Sequence, residues 1–234
     1  WYRCIVTFTP TSTATSNFQI RSSSEAQTSS SSSYTGTING TRGVYAWGAQ
    51  VEAGAFATSY IPTSGSSVTR ENEFVTIKGT NFTDFYNQNE GTFFIDSAVA
   101  RGSGYNTYVG SVTSSTANGG PSYNFNALMS DNDNSDILLN IWDGTGSAQA
   151  MIAIAHPSGN MRVAGAFKNN DFAISMNGSA VSTDTSGTID TNQDQLWIGK
   201  TPYNDTNWLN NPIKRVAYYK TRLPNAQLQG LTQQ

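Results

Sequence analysis

From residue 74 onward, apolar and polar positions alternate in short runs separated by turn residues, the period-2 signature of strands with two unlike faces. This predicts strands over Phe74–Ile77, Gly91–Ala100, Tyr105–Val112, Ser122–Met129 and Asp136–Trp142. More follow at Ala148–Ala155, Met161–Phe167, Asp171–Met176, Ser179–Thr183, Gln195–Ile198 and Ile213–Lys220. Turn signals recur about every 8–12 residues, the spacing of an all-β sandwich. The clearest hairpin joins Phe172–Met176 to Ser179–Ser182 through Asn177-Gly178, because both central residues of a type I′ turn need positive φ. The period changes only at the end. Leu223 to Leu231 places Pro224 and Asn225 at a helix start and lets Leu223, Leu228 and Leu231 anchor one face, predicting one short C-terminal helix.

The first 62 residues are patterned differently. Tyr2–Phe8 alternates, with Tyr2, Cys4, Val6 and Phe8 on one side, so Cys4 is expected to be a small buried hydrophobe. Asn17–Ser22 is a short half-polar strand candidate, and Tyr34–Gly36 with Ile38–Gly40 suggests another strand and turn. Gly43–Gln50 is the best strand here, with Trp47 expected in its core. Thr11–Ser16 and Ser22–Ser33 are Ser/Thr-rich loop material. Gly54 allows a tight turn, and Pro62 keeps Ile61 extended. Three or four strands cannot close a sandwich, and an alternating strand at residue 1 is an abrupt start; both lead us to expect a portion of a longer protein. The domain reading is therefore 1–62 as the last part of one β-sandwich, 63–67 (TSGSS) as linker and 68–234 as a second sandwich.

Composition narrows the partners. Only 12% of the 234 residues are Asp, Glu, Lys or Arg, about half the usual share, and the net charge is −3. No basic patch emerges, so binding to nucleic acid through phosphate contacts is not expected. Five Trp, eleven Tyr and eleven Phe supply large apolar bodies that disordered chains lack. No apolar run approaches ~18 residues, so membrane insertion is not expected, and the opening residues do not read as a signal peptide. Cys4 is the one cysteine, which excludes an internal disulfide or a thiolate metal cluster.

Two stretches carry resemblances. Val44 to Arg70 (VYAWGAQVEAGAFATSYIPTSGSSVTR) resembles a segment common in bacteriophage virion proteins, where WGAQ-E-G-ATSYIPT closes one carbohydrate-binding-module-like jelly roll and hands over to a second domain. KRVAYYKTRLPNAQLQGLTQQ at the end, with LWIGK at 196–200 and NDFAISMNGSAV at 171–181, resembles the concanavalin A/laminin-G-like domain over residues 68–234. Relatives often carry Asn-Gly-His before the last strand, whereas this chain has Asn210-Asn211-Pro212. The resemblance implies an all-β protein of two tandem antiparallel sandwiches, exposed on a phage fibre, spike or capsid surface. It also implies other virion proteins as partners and a homotrimer.

The residues offer little for catalysis. Glycoside hydrolysis needs two carboxylates roughly 5–5.5 or 6.5–9.5 Å apart. Sandwich glycosidases usually supply them from one strand, but Glu71 and Glu73 lie at the domain entrance, Glu90 precedes a strand and Asp96 is alone on its own. No glutamate follows Glu90. The single histidine, His156, reads as a solvated loop residue without a nucleophile signature. The chain is therefore not expected to be an enzyme.

Asp131-Asn132-Asp133-Asn134-Ser135-Asp136 could offer oxygens to Ca²⁺ from Asp131, Asp133 and Asp136, or form a plain Asx-rich turn. Both readings stand at this point. Sugar binding needs an aromatic platform with amides and carboxylates around it. Trp142 with Asp143 is one candidate, and Tyr203, Asn204, Asp205, Asn207 and Trp208 are the other. Trp208 folding back to cap the sandwich is the competing use, and Trp197 is expected in the core. The functional expectation is non-covalent attachment to a host-surface or environmental glycan at the virion surface; the alternatives are a purely structural decoration protein and, less favoured, a glycan-degrading enzyme.

Overall fold

The alternation downstream of residue 74 is realised as two antiparallel sheets in a computed structural model, which describes residues 2–9, 11, 45–54, 57–70, 74–98, 107–115, 124–131, 135–157, 159–200, 208–209 and 211–233. The chain divides into two compact units, Trp1–Glu71 and Asn72–Gln234.

In the second unit the strands are β1 (Val75–Lys78), β2 (Glu90–Ser97), β3 (Thr107–Thr113), β4 (Asn124–Ser130), β5 (Asp136–Asp143) and β6 (Ala148–Ala155). They continue with β7 (Met161–Lys168), β8 (Phe172–Met176), β9 (Ser182–Asp184), β10 (Gln195–Ile198) and β11 (Ile213–Tyr219). One sheet has the order β1-β10-β3-β4-β5-β6 and the other β11-β2-β7-β8-β9. All pairings are antiparallel. The all-β class and the two-turn C-terminal helix α2 (Asn225–Thr232) are as the sequence predicts.

The core lies between the sheets. Leu128, Ile137, Leu139, Ile141 and Ile152 from one sheet meet Phe93, Ile95, Val163, Phe167, Phe172 and Ile174 from the other. Each such side chain stabilises the fold by about 1.5–3 kcal/mol. The closest approach is at Gly165, where a Cβ would stand 2.7 Å from Leu128 Cδ2 and 3.0 Å from Leu139 Cδ1. Gly91 is used alike: a Cβ there would fall 2.6 Å from the Tyr218 hydroxyl.

One helical turn, α1 (Thr80–Thr83), is not announced by the sequence. Four residues are too few to show a helical period, and Gly79, at φ 62°, opens the turn without a side-chain cap. The turn delivers Phe82 to the core, stacked on Tyr86 at 4.6 Å.

The Asn177-Gly178 turn forms as expected, with φ of 49° and 75° and a 2.9 Å bond from the Ser179 N–H to the Met176 carbonyl, but the returning strand begins at Ser182 rather than Ser179. α2 then docks on the outer face of the five-stranded sheet. Leu228 is buried against Phe94, Ala164, Ala166 and Ala173, with Leu223 and Leu231 alongside. The three alanines leave room for the helix. Its last turn is tied to the hairpin, since Thr232 Oγ1 accepts from the Gly178 N–H at 3.1 Å and Gln229 Nε2 donates to the Gly178 carbonyl at 2.9 Å.

The first unit departs from expectation. Its described residues form no strand: neither Tyr2–Phe8 nor the described part of Gly43–Gln50 takes part in a ladder. Cys4 is exposed rather than buried, and Trp47 is 78% exposed rather than core. Alternation alone does not make a sheet: without a hydrogen-bonded neighbour there is no second layer to cover the apolar side. The expected elements at 17–22 and 34–40 lie outside the described residues.

Side chains hold the junction stretch instead. Gln50 Oε1 accepts from the Ile61 N–H at 2.8 Å, and Glu52 Oε1 accepts from the Thr58 N–H at 2.6 Å. Tyr60 lies against Trp47, ring centroids 4.8 Å apart, and packs over Gly48 at φ 71°.

Two outcomes follow. Gly165→Ala should destabilise the protein by about 1–3 kcal/mol, because Leu128 and Leu139 belong to a packed core and can give way little; thermal unfolding would show a lower Tm with the same fold by circular dichroism. Burial and the nearby Glu90 push the Tyr218 hydroxyl up to about 12, against the Asn87 hydrogen bond that lowers it. Burial holds Tyr86 well above its ordinary value too. A raised folded pKa means full stability below about pH 10, where a free tyrosine ionises, and loss as pH climbs toward 12. Chemical denaturation across that window should show the fall, and Tyr218→Phe should make it shallower.

Candidate functional site

Strand β5 reads Asp-Ile-Leu-Leu-Asn-Ile-Trp-Asp, and its two faces differ. Ile137, Leu139 and Ile141 enter the core, which turns Asp136, Leu138, Asn140 and Trp142 to the outer face of the six-stranded sheet. By the same parity β4 presents Ala127 and Met129 outward, and β6 presents Met151 and Ala153. Register places them side by side: Met129, Leu138 and Ala153 form one cross-strand row, and Ala127, Asn140 and Met151 the next.

These rows enclose a groove of about 450 Å³ lined by Met129, Asp131, Asp136, Leu138, Asn140, Met151 and Ala153. Met129 and Leu138 are its buried floor, part of a small cluster with Tyr108, Ala127 and Trp142. Met151, 60% exposed, forms a wall on the edge strand β6. Asn140 is only 7% exposed and cannot swing freely: its Oδ1 accepts from Trp142 Nε1 at 2.8 Å and its Nδ2 faces Met129 Sδ at 3.4 Å. Trp142 thus supports the groove from beside it rather than lining it.

Asp131 and Asp136 stand at one end. Asp131 Oδ1 accepts from the backbone N–H of Ser135 at 2.9 Å and of Asp136 at 3.2 Å, and its Oδ2 from Ser135 Oγ at 2.9 Å. That is the Asx-turn arrangement, with the carboxylate satisfying amides that the tight loop leaves open. Asp136 Oδ2 lies 3.3 Å from Ser135 Oγ, and the residue lines the groove. Asp133 lies outside the described residues. Among the described residues no three metal-ligating side chains converge.

Asp143 serves the fold locally. Its Oδ1 accepts from the N–H (3.1 Å) and hydroxyl (2.6 Å) of Thr145, and its Oδ2 from Thr188 Oγ1 at 2.5 Å. The β5–β6 turn is thereby tied to the 185–190 segment. Burial pushes the Asp143 carboxyl up, but the bonds from Thr145 and Thr188 outweigh it and hold the group below the usual range.

The second aromatic candidate is elsewhere on the sheet. Tyr203, Asn204, Asp205 and Asn207 lie outside the described residues. Trp208 is half-buried beside Phe74, centroids 5.6 Å apart, with Lys200 Nζ 4.3 Å from its ring centre. Phe74 also stacks on Trp197 at 5.4 Å. Trp197 is buried as expected, but on the outer face, since its neighbours Leu196 and Ile198 are the ones that turn to the core. Strands β3 and β4 lie between β10, which carries Trp197, and β5, which carries Trp142. His156 is half-buried, its Nδ1 3.1 Å from the Pro157 carbonyl oxygen. On the outer face of the other sheet, Asp96 pairs with Arg162 at 3.1 Å and Lys214 at 3.9 Å around a cavity of about 150 Å³ that Asn160 completes.

The architecture defines a two-sheet antiparallel β-sandwich of the class that includes sialidase-associated carbohydrate-binding domains. Among solved structures it is similar to the carbohydrate-binding module CBM40 of the Ruminococcus gnavus IT-sialidase. That match has a TM-score of 0.51 at 16% identity and covers 62% of this chain and 84% of that one. The same module bound to α2,3-sialyllactose gives 0.50 at 17% identity over the same shares. The NanB sialidase of Streptococcus pneumoniae gives 0.55 at 10% identity, covering 68% of this chain and 26% of that much longer one. At these identities the likeness establishes the fold and nothing finer. No family model matches the chain, and no curated protein does.

Acid should loosen the Asp143 tether. A lowered folded pKa contributes stability that is present above about pH 4 and lost as pH falls through the folded value. In wild type, Tm should therefore drop on acidification, and Asp143→Asn should remove part of that dependence while lowering Tm at neutral pH.

Proposed function

We propose that this chain is a non-catalytic glycan-binding protein of a bacteriophage virion, working at the virion surface through the outer face of the six-stranded sheet. The observation that carries the reading is the groove of about 450 Å³, in which an apolar floor is joined by a fixed amide and two carboxylates. Sugar sites combine these groups, apolar surface for ring C–H faces and a few placed polar atoms for hydroxyls. The fold likeness to sialidase-associated carbohydrate-binding domains supports it. The WGAQ-E-G-ATSYIPT stretch supports the virion assignment, with other virion proteins as neighbours and a homotrimer as the assembly.

The alternative is a purely structural decoration or tail protein, and one observation favours it. Tyr2, Tyr45, Trp47 and Val51 of the first unit are exposed, as residues that meet another subunit would be. An enzymatic role gains no support from the described residues: Asp143 is committed to two threonines and Asp96 to two cations.

A glycan array probed with the 234-residue chain, with and without EDTA, tests the reading. Binding to a defined glycan set is expected, with no loss in EDTA, because the Asp131 oxygens are already used by the turn. An array that stays blank in both conditions would sink the glycan reading and leave the structural one.

A further inference from the structure

We infer that the groove over β4, β5 and β6 accepts an uncharged sugar ring through adjacent hydroxyls, and that it disfavours sialic acid and other carboxylated sugars. This rests on the glycan-binding reading and adds the chemical class of ligand. The argument starts from register. Asp136 pairs with Ala155, Leu138 with Ala153 and Asn140 with Met151, so three outward-facing rows lie two residues apart. Rows spaced by two residues cover roughly 13 Å along the strands, and three strands cover about 10 Å across them. The space suits one or two pyranose rings. Ala153 and Ala155 keep the β6 side low, and larger side chains there would fill the groove.

The lining then selects among sugars. Leu138 and Met129 give an apolar floor, and the flexible thioether of Met151 can follow an irregular C–H face. At the far end the carboxylates of Asp136 and Asp131 offer hydrogen-bond acceptors. A pair of sugar hydroxyls donating to Asp136 would form charge-assisted bonds, stronger than those between neutral groups. A sugar carboxylate in the same place would face like charge. No lysine, arginine or histidine lines the groove among the described residues. The cations Arg162 and Lys214 belong to the opposite sheet, where both are engaged with Asp96. Among the described residues, a sialic acid carboxylate in this groove would thus meet no guanidinium or ammonium to offset its burial.

Calorimetry on the 234-residue chain tests this with lactose, other neutral disaccharides, and α2,3- and α2,6-sialyllactose as the probes. At least one neutral sugar should bind, and sialylation of lactose should give no gain. Asp136→Asn removes one charge at constant shape. It should weaken the neutral ligand about tenfold while leaving the circular dichroism spectrum unchanged. Ala153→Trp, on an exposed edge-strand position, should abolish binding by filling the groove. Tighter binding of sialyllactose than of every neutral sugar would overturn the inference while leaving glycan binding intact. So would neutral binding indifferent to both substitutions. Absence of binding to any sugar would instead bring down the functional reading on which the inference stands.

Discussion

Everything in the second unit depends on how closely the two sheets approach. Stacked sheets stand about 10 Å apart, and side chains from both must share that gap. Gly165 is where the sharing is tightest, because Leu128 and Leu139 occupy the volume its own side chain would need. Once those leucines point inward, the pleat dictates the rest of their strands. Met129, Leu138 and Asn140 have no choice but the outer face. The groove is in this sense a by-product of core packing, furnished by whatever residues the opposite parity allows.

The two outer faces then part company. On the five-stranded sheet, Ala164, Ala166 and Ala173 are small enough for α2 to lie down, and Leu228 seals the contact. On the six-stranded sheet, large and small residues alternate without such a flat path. Its β10 side is filled by Phe74, Trp197 and Trp208 around Lys200. Its β6 side stays open. The open region is thus confined to the part of the sheet where the edge strand carries alanines and a methionine.

Much of this was legible from residue order alone, and the reasons are physical. Strands such as Ala148–Ala155 and Gln195–Ile198 coincide with their predicted bounds because alternation and flanking turn residues agree. The helix was legible because three leucines recur on one face. The turn at Thr80–Thr83 was not, since its one informative side chain, Phe82, has no periodic partner.

The site was harder to read. Composition points to loops rich in Trp, Tyr, Asn and Asp for sugar recognition, whereas the groove proposed above lies on strand faces. One signal pointed there: Asn140 interrupts an otherwise apolar strand, and a buried amide among leucines and isoleucines asks for an explanation. An acid beside a tryptophan looks like a binding pair in sequence, and order alone does not reveal that Asp143 also anchors a turn through Thr145 and Thr188. Among the described residues of the first unit, alternation is not realised as strand, because period records which residues could share a face and not what pairs with them.

The junction stretch carries a last consequence. Gln50 and Glu52 hold Ile61 and Thr58 by side chains rather than by a ladder, and Gly48 gives Tyr60 its seat beside Trp47. A ladder tolerates slippage, since any backbone amide can replace its neighbour. A clamp does not. Each carboxamide or carboxylate reaches one amide at one distance, so a residue inserted between 52 and 58 would offer both arms the wrong partner. The 50–61 stretch is therefore a loop whose length is set by its own side chains, and it keeps its shape without borrowing a strand from anywhere else.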